Sequence, residues 1–467
     1  MKYRLVIAAI SLSILLIESD FALATNRFGA EQKKTIIQNL AKAIKNEYVL
    51  IEDGLKFSEK LLEKYQREDF TDEESREQFV QRINKSLYEI TNDKHVSLRT
   101  QISSKNNPMT RRVVRQTDNA SAEQTGPRRL VRIPGQSNRS LKKELGLPEG
   151  ESISSKILPG NIGLITVSDL MGSETEVHQS MARMANTDGL IIDVRSCPGG
   201  SGAISNQISS YFIDEGETLM RYYTRGEEVN LSRSMPLPDG AKRYQSRPLY
   251  IVTSGFTGSA CEALSYSLKY HDRAVIIGEK SAGAGHALTR ELTSVGSGLV
   301  AFIPNSRPEH PKHKGGFEKI GVPTDIQAGA VIAVERAHQM ILSQLLQKDD
   351  NNQHLSKALI DNNEKLTKKL LAQSKESRIT SELLGLYGDK LELTYELGQL
   401  KLKSASGRKL PLQRVSDNLF SVMFMRGNQK VKINRNREGK VVSISMSPRP
   451  GQTEWKELTK LYGTSYL

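Results

Sequence analysis

The sequence predicts an α/β protein with an N-terminal helical subdomain and a small C-terminal antiparallel β domain. Three observations predict it. Apolar residues recur at helical spacing over residues 26–100. Short β-branched runs alternate with helical patterns over 157–345, which implies parallel strands with crossover connections. Over 381–450 the pattern changes to period two, punctuated by glycines.

The elements follow in order. Lys2 and Arg4 precede a 13-residue run from Leu5 to Ile17, apolar apart from two serines and too short to span a bilayer. Ala22-Leu23-Ala24 then offers the small-x-small pattern of a signal peptidase site, so residues 1–24 are expected to be cleaved. No cysteine follows the run, so a lipid anchor is not expected, and no later stretch is long and apolar enough to cross a membrane. The mature protein is expected in the periplasm or secreted.

In the helical subdomain, Ile36, Ile37, Leu40, Ala43 and Ile44 mark one helix, and Leu61, Leu62 and Tyr65 a second. Thr71-Asp72-Glu73-Glu74 reads as the N-terminus of a third, whose apolar face is Phe79, Ile83, Leu87 and Ile90. The subdomain ends at Asp93-Lys94-His95. Residues 101–156 form a linker in which Lys and Arg outnumber Asp and Glu. It reads either as a solvated loop or as a basic flap that gathers acidic ligands.

In the α/β core, Ile162–Val167, Leu190–Val194, Leu249–Thr253 and Ala274–Gly278 read as strands. Glu174–Ala185, Ala260–Leu268 and Ile332–Leu346 read as helices. Residues 346–380 are polar and read as a linker helix. The β domain is drawn from Leu391/Leu393, Leu400/Leu402, Phe420/Val422/Phe424, Val431/Ile433 and Ile444/Met446.

Composition excludes several classes. With 37% apolar and 25% charged residues over 467 positions, the chain is neither a multi-span membrane protein nor wholly disordered. Two cysteines exclude a disulfide scaffold and a thiolate-rich metal protein. His310 and His313 flank Pro311, which argues against a helical metal pair. No metal or cofactor is expected. A net charge of +13 favours acidic partners without indicating nucleic acid. The oligomeric state is not legible.

Three segments carry candidate chemistry. In the first, a buried strand ending Asp193-Val194-Arg195 runs into Ser196-Cys197-Pro198-Gly199-Gly200. Its glycines let backbone N–H groups approach a ligand, as an oxyanion hole requires, although Pro-Gly-Gly is also an ordinary turn. In the second, a strand ends at Thr253 and Ser254-Gly255-Phe256-Thr257-Gly258-Ser259 leads into a helix from Ala260. Ser259 reads either as the nucleophile of a strained elbow, with the Ala260 N–H left to bind an oxyanion, or as a helix N-cap. The third, Phe317 to Ile326, places Glu318 in a loop before a turn and a strand.

Together the segments resemble the C-terminal-processing (tail-specific) serine peptidase family. The similarity is to its branch containing the interphotoreceptor retinoid-binding protein and the tricorn core. The family pattern is Asp-x-Arg-x-x-x-Gly-Gly, Thr-x-Ser-Ala-x-Glu, Gly-Glu-x-x-x-Gly and Glu-x-x-Gly-Val. It is matched here by Asp193 to Gly200, Thr257 to Glu262, Gly278 to Gly283 and Glu318 to Asp325. Asp93-Lys94-His95 matches that branch's Asp-x-His. The resemblance implies a crotonase/ClpP-like core. Better-known members carry a PDZ module between the helices and the core, but residues 101–156 are short for one and lack its strand pattern, so none is expected.

It also implies roles. Ser259 is the nucleophile, His95 its base, Glu318 the orienting acid. Ala260 N–H and one of Gly199 or Gly200 are the oxyanion donors. The Ser-Lys dyad of better-known members fails here, because the position 25 residues after Ser259 is Ala284 and Lys280 is out of register. His286 is a rival base. Lys94, where the tricorn-like pattern has a serine, and the Ser196-Cys197-Pro198 turn depart from the family. The implied function is an exported serine peptidase working through an acyl-enzyme on protein or peptide substrates. Rival readings are an inactive carrier of the same fold, or a non-peptidase acyl hydrolase. If the site assembles as described, Cys197 and Cys261 lie close, either as a disulfide or as two buried thiols.

Overall fold

A computed structural model of the chain describes residues 27–101 and 151–462, apart from 69, 71–73, 290–291, 389–390, 405–406, 408, 425–428 and 449–453. The expected signal segment and nearly all of the basic linker therefore lie outside the described residues. Among those described, no helix is long and apolar enough to cross a membrane. The chain divides into two compact units.

The first unit joins the N-terminal region to residues 224–227 and 286–306. Its helices are Ala30–Glu47, Ile51–Tyr65 and Arg76–Thr91. Their apolar stripes meet in one core, with Ile36, Leu40, Ile44, Leu61, Phe79, Ile83 and Leu87 fully buried. Leu62, expected on the buried face, is 42% exposed: it lies one step round the helix from Leu61. The third helix begins later than Thr71–Glu74 suggests. Ser75 is its N-cap, accepting from Gln78 N while the Gln78 side chain accepts from Ser75 N. Asn92, at φ 47°, closes this helix in the left-handed region and turns the chain into Asp93. Strand Ser97–Thr100 then pairs antiparallel with Leu299–Phe302, which pairs with Thr293–Gly296.

The second unit is built on a six-stranded sheet. From one edge its strands are Ile326–Gln327, Val275–Gly278, Leu249–Thr253, Gly189–Asp193, Ile162–Val167 and Ile153–Leu158. All neighbours are parallel except the last pair. Both faces are covered, so Gly189–Asp193 and Leu249–Thr253 are buried at every position and read as unbroken apolar runs. The core begins at Ile153 rather than 157. Strand Ile153–Leu158 carries no apolar run because its middle, Ser154-Ser155-Lys156, is a polar sheet edge. The polar segment expected to be a linker helix is Gln353–Thr380. It is part of the core: Leu355 and Ala358 bury with Ile341 and Leu342 of helix Ala333–Leu346.

The C-terminal β domain is a closed antiparallel barrel of eight strands, from Gly385–Tyr387 to Lys456–Tyr462. Leu393, Leu400, Leu402, Phe420, Val431, Ile433 and Ile444 fill it, on the expected period-two positions. The closing strand runs past the 450 boundary. Its sequence, Lys-Glu-Leu-Thr-Lys-Leu-Tyr, carries too few apolar residues to show the alternation.

Candidate active site

In the second unit, Asp193 pairs with Val252 in register, so strands Gly189–Asp193 and Leu249–Thr253 end side by side. The two glycine-bearing loops leave from these adjacent carboxyl ends, where open α/β sheets place ligand sites. Gly258 N donates to Cys197 O at 3.0 Å, and Thr257 Oγ1 donates to Val194 O at 2.8 Å, which holds the loops together. Cys197 and Cys261 are joined by a disulfide with Cα atoms 6.3 Å apart, both fully buried.

Ser259 stands at φ 51°, ψ −123°, a strained conformation for a residue with a side chain. Its hydroxyl makes no cap bond to helix Ala260–Tyr270. The cap runs the other way: Glu262 Oε2 accepts from Ser259 N at 2.9 Å. The elbow therefore presents the hydroxyl instead of spending it on the helix. The Ala260 N–H is the first of the helix and has no intrahelical partner. Among the described residues neither it nor the N–H groups of Gly199 and Gly200 donate to any protein acceptor.

Of the two glycines, Gly199 is the one against the elbow. A Cβ added there would lie 2.6 Å from Ser259 Cβ and 3.3 Å from Ala260 N. A Cβ on Gly200 would instead strike the Leu170 backbone at 2.6 Å.

Glu262 is fully buried and accepts four hydrogen bonds. They come from Ser259 N, Ala284 N at 2.8 Å, Gly283 N at 2.6 Å and Ser281 Oγ at 2.6 Å. Burial pushes its carboxyl up to about 7 against these donors. Ser281 Oγ in turn accepts from Val322 N at 2.6 Å. Glu318 Oε2 accepts from Gly285 N at 2.6 Å, and Lys319 N donates to Gly283 O at 3.0 Å. Thus Ser259, Ala260, Gly199 and Glu318 belong to one hydrogen-bonded set of loops. Glu262 is its hub, a role the sequence reading did not give it.

His95 belongs to the first unit. Asp93 Oδ1 accepts from the His95 backbone N at 2.8 Å, while His95 Nδ1 stands 3.8 Å from the same oxygen. The ring stacks on Phe302. Burial lowers the imidazole's pKa; the Asp93 charge opposes this, and His286, Arg99 and Lys94 reinforce it. The aspartate is committed elsewhere: Asp93 Oδ2 lies 2.7 Å from His286 Nδ1 and accepts from Tyr48 Oη at 2.9 Å. Burial alone would raise the Asp93 pKa, but the hydrogen bond and charge of His286, with the His95 amide, bring it below its ordinary value. In sequence Asp93 is legible only as the first residue of the Asp-x-His motif. Its pairing with His286 spans 193 residues and has no local signal.

Residues 161–328 match the family described as "Peptidase family S41". The carboxyl-terminal-processing peptidase 2, chloroplastic, of Arabidopsis thaliana is 31% identical over 180 residues, covering 38% of this chain and 33% of that protein. The carboxyl-terminal-processing protease of Synechocystis sp. is 25% identical over 171 residues, covering 36% and 38%. The chain thus spans about a third of the length of these curated relatives. The solved photosystem II D1 C-terminal processing protease is 17% identical, with 65% of this chain and 95% of that chain covered at a TM-score of 0.42. The tricorn protease is 16% identical, with 72% and 37% covered at 0.39.

Proposed function

We propose that this chain, whose residues 161–328 form a peptidase family S41 domain, is an exported serine peptidase that cleaves peptide bonds through an acyl-enzyme on Ser259. The observation that carries the reading is the elbow. A half-buried serine at positive φ sits at a helix start, with the uncommitted N–H groups of Ala260 and Gly199 beside it. Ser259 Oγ attacks the scissile carbonyl. His95 takes the hydroxyl proton and returns it to the leaving amine. Ala260 N–H and Gly199 N–H receive the charge that develops on the carbonyl oxygen. Water then releases the acyl group by the reverse of these proton transfers. Glu318 fixes the loop of Gly283 and Gly285, and through it the polar side of the site. Export rests on the charged, apolar and small-residue pattern of residues 1–24.

One observation favours a second assignment of the base. A histidine held at Nδ1 by a buried carboxylate is the arrangement a general base needs, and Asp93 gives it to His286. Hydrolysis of casein and of a peptide library by three variants tests both. Ser259→Ala should lose about 10⁴–10⁶ in rate. If His95→Ala is nearly as damaging and His286→Ala is milder, His95 is the base; the reverse order transfers the role. Full activity in Ser259→Ala overturns the reading.

A further inference from the structure

The β barrel reaches the floor of the elbow. Lys401, in barrel strand Gln399–Lys403, is 2% exposed, and its Nζ lies 2.9 Å from Oε1 of Glu279, itself 5% exposed. Glu279 follows strand Val275–Gly278 and is bound into the elbow. Its backbone N donates to Thr253 O at 3.1 Å, and its O accepts from Thr253 Oγ1 at 2.8 Å. Glu279 Oε2 faces Gly255 N at 3.4 Å, and Oε1 accepts from Ala330 N at 3.1 Å. Phe256, the next residue, is buried in the barrel's own apolar cluster with Leu400 and Leu402. A Cβ on Gly255 would meet Lys409 O of the barrel at 3.3 Å. On the other side of the elbow, Arg195 pairs with Asp193 and stands 5.7 Å over the Phe424 ring of the barrel.

We propose that Lys401 is a positioning residue for the nucleophile: through Glu279 it clamps Gly255–Phe256, and so sets the elbow that presents Ser259. The inference rests on the peptidase reading above. Lys401 Nζ also stands 3.8 Å from Glu396 Oε2, and the Arg195 charge acts on Glu279 from farther off. Among the described residues, however, Lys401 is the cation in direct contact with the buried Glu279, and taking it away leaves that carboxylate without its close partner. Glu279 without Lys401 is drawn toward water, and the two amides it holds go with it. The elbow is three residues further on. The barrel thus acts as a brace for the loop that carries Ser259.

The test uses the full chain in four forms: wild type, Lys401→Met, Lys401→Gln and Lys403→Met. The last breaks the pair of Lys403 with Glu392, which lies within the barrel. A fluorophosphonate reports the rate constant of Ser259 labelling and the probe's affinity separately. Hydrogen–deuterium exchange reports the order of residues 253–262. Near-ultraviolet circular dichroism reports the fold. Lys401→Met should lower the labelling rate constant at least tenfold with probe affinity unchanged, and speed exchange in 253–262. Lys401→Gln, which keeps one donor toward Glu279, should fall between, and it serves if Lys401→Met does not fold. Lys403→Met should match wild type. A folded Lys401 variant with wild-type labelling and wild-type exchange overturns the proposal. Absence of labelling in the wild type overturns the peptidase reading and the catalytic half of the proposal. The exchange measurement then still decides whether Lys401 braces the loop.

Discussion

Gly199 and Ser259 are packed so closely that a methyl group on the first would stand 2.6 Å from Cβ of the second. Gly199 also sits at φ 121°, where a side chain is strained. Position 199 therefore requires glycine twice over, for its backbone conformation and for its close packing against Ser259. Gly199→Ala should cost about 10²-fold or more in kcat/KM, the scale of a lost oxyanion donor. Steady-state hydrolysis of a peptide substrate checks it. An active Gly199→Ala variant would move the oxyanion hole elsewhere.

The disulfide should act on stability as well as on the site. Cys197–Cys261 closes a loop with a sequence separation of 64, for which loop closure alone predicts about 4 kcal/mol. Cys197→Ser/Cys261→Ser should lower the unfolding free energy by about 2–4 kcal/mol in urea titrations. It should also lower kcat, because Gly199 lies two residues beyond the bond. A double variant with unchanged midpoint and unchanged kcat would deny the staple both roles.

Glu262 makes stability depend on pH in a defined direction. Its carboxyl is raised from 4.5 to about 7 by burial, so the folded chain holds the proton more tightly than the unfolded chain. The resulting stabilisation is full below pH 4.5 and is lost as pH rises through about 7. The total is about 3 kcal/mol. Glu262→Ala should be less stable throughout, since it strands four donors, and it should lack this slope. Urea midpoints from pH 4 to 8 measure both. Parallel pH curves for wild type and variant would contradict the assignment.

His95 is held below its ordinary value of 6.5, chiefly by burial, so its neutral form persists into mildly acidic solution. The acid limb of kcat/KM should therefore fall below pH 6.5. Because the folded value is depressed, the stability this group contributes is kept above 6.5 and lost as pH falls through the folded value. His286→Ala removes one of the neighbours that lower His95 and releases Asp93, so the limb should move upward while activity survives. A limb above pH 7 in the wild type, or no activity in His286→Ala, would take the base role from His95.

Much of this was legible locally. Ile36, Leu40 and Ile44 announced a buried helix face because four-residue steps return to one side. The Ser259–Ala260 elbow and the Gly199–Gly200 turn are legible as contiguous motifs with their own turn chemistry, but which glycine faces Ser259 is not, since it depends on the packing of two distant loops. The barrel core was legible where Leu400 and Leu402 alternate. Alternation alone does not reveal Lys401, which lies on the strand face opposite Leu400 and Leu402 and is buried against Glu279 of the α/β core. The barrel is joined to the core through Phe256 and Glu279. Asp93 with His286, and Glu262 with Ser281 and Gly283, join segments far apart in sequence, and no local pattern specifies such partners.

The most direct measurement is labelling of the full chain with a fluorophosphonate, followed by peptide mapping. The account predicts one adduct, on the peptide containing Ser259, formed in the wild type and absent from Ser259→Ala. A wild-type chain that hydrolyses peptides while carrying the adduct at another residue, or none at all, would contradict it.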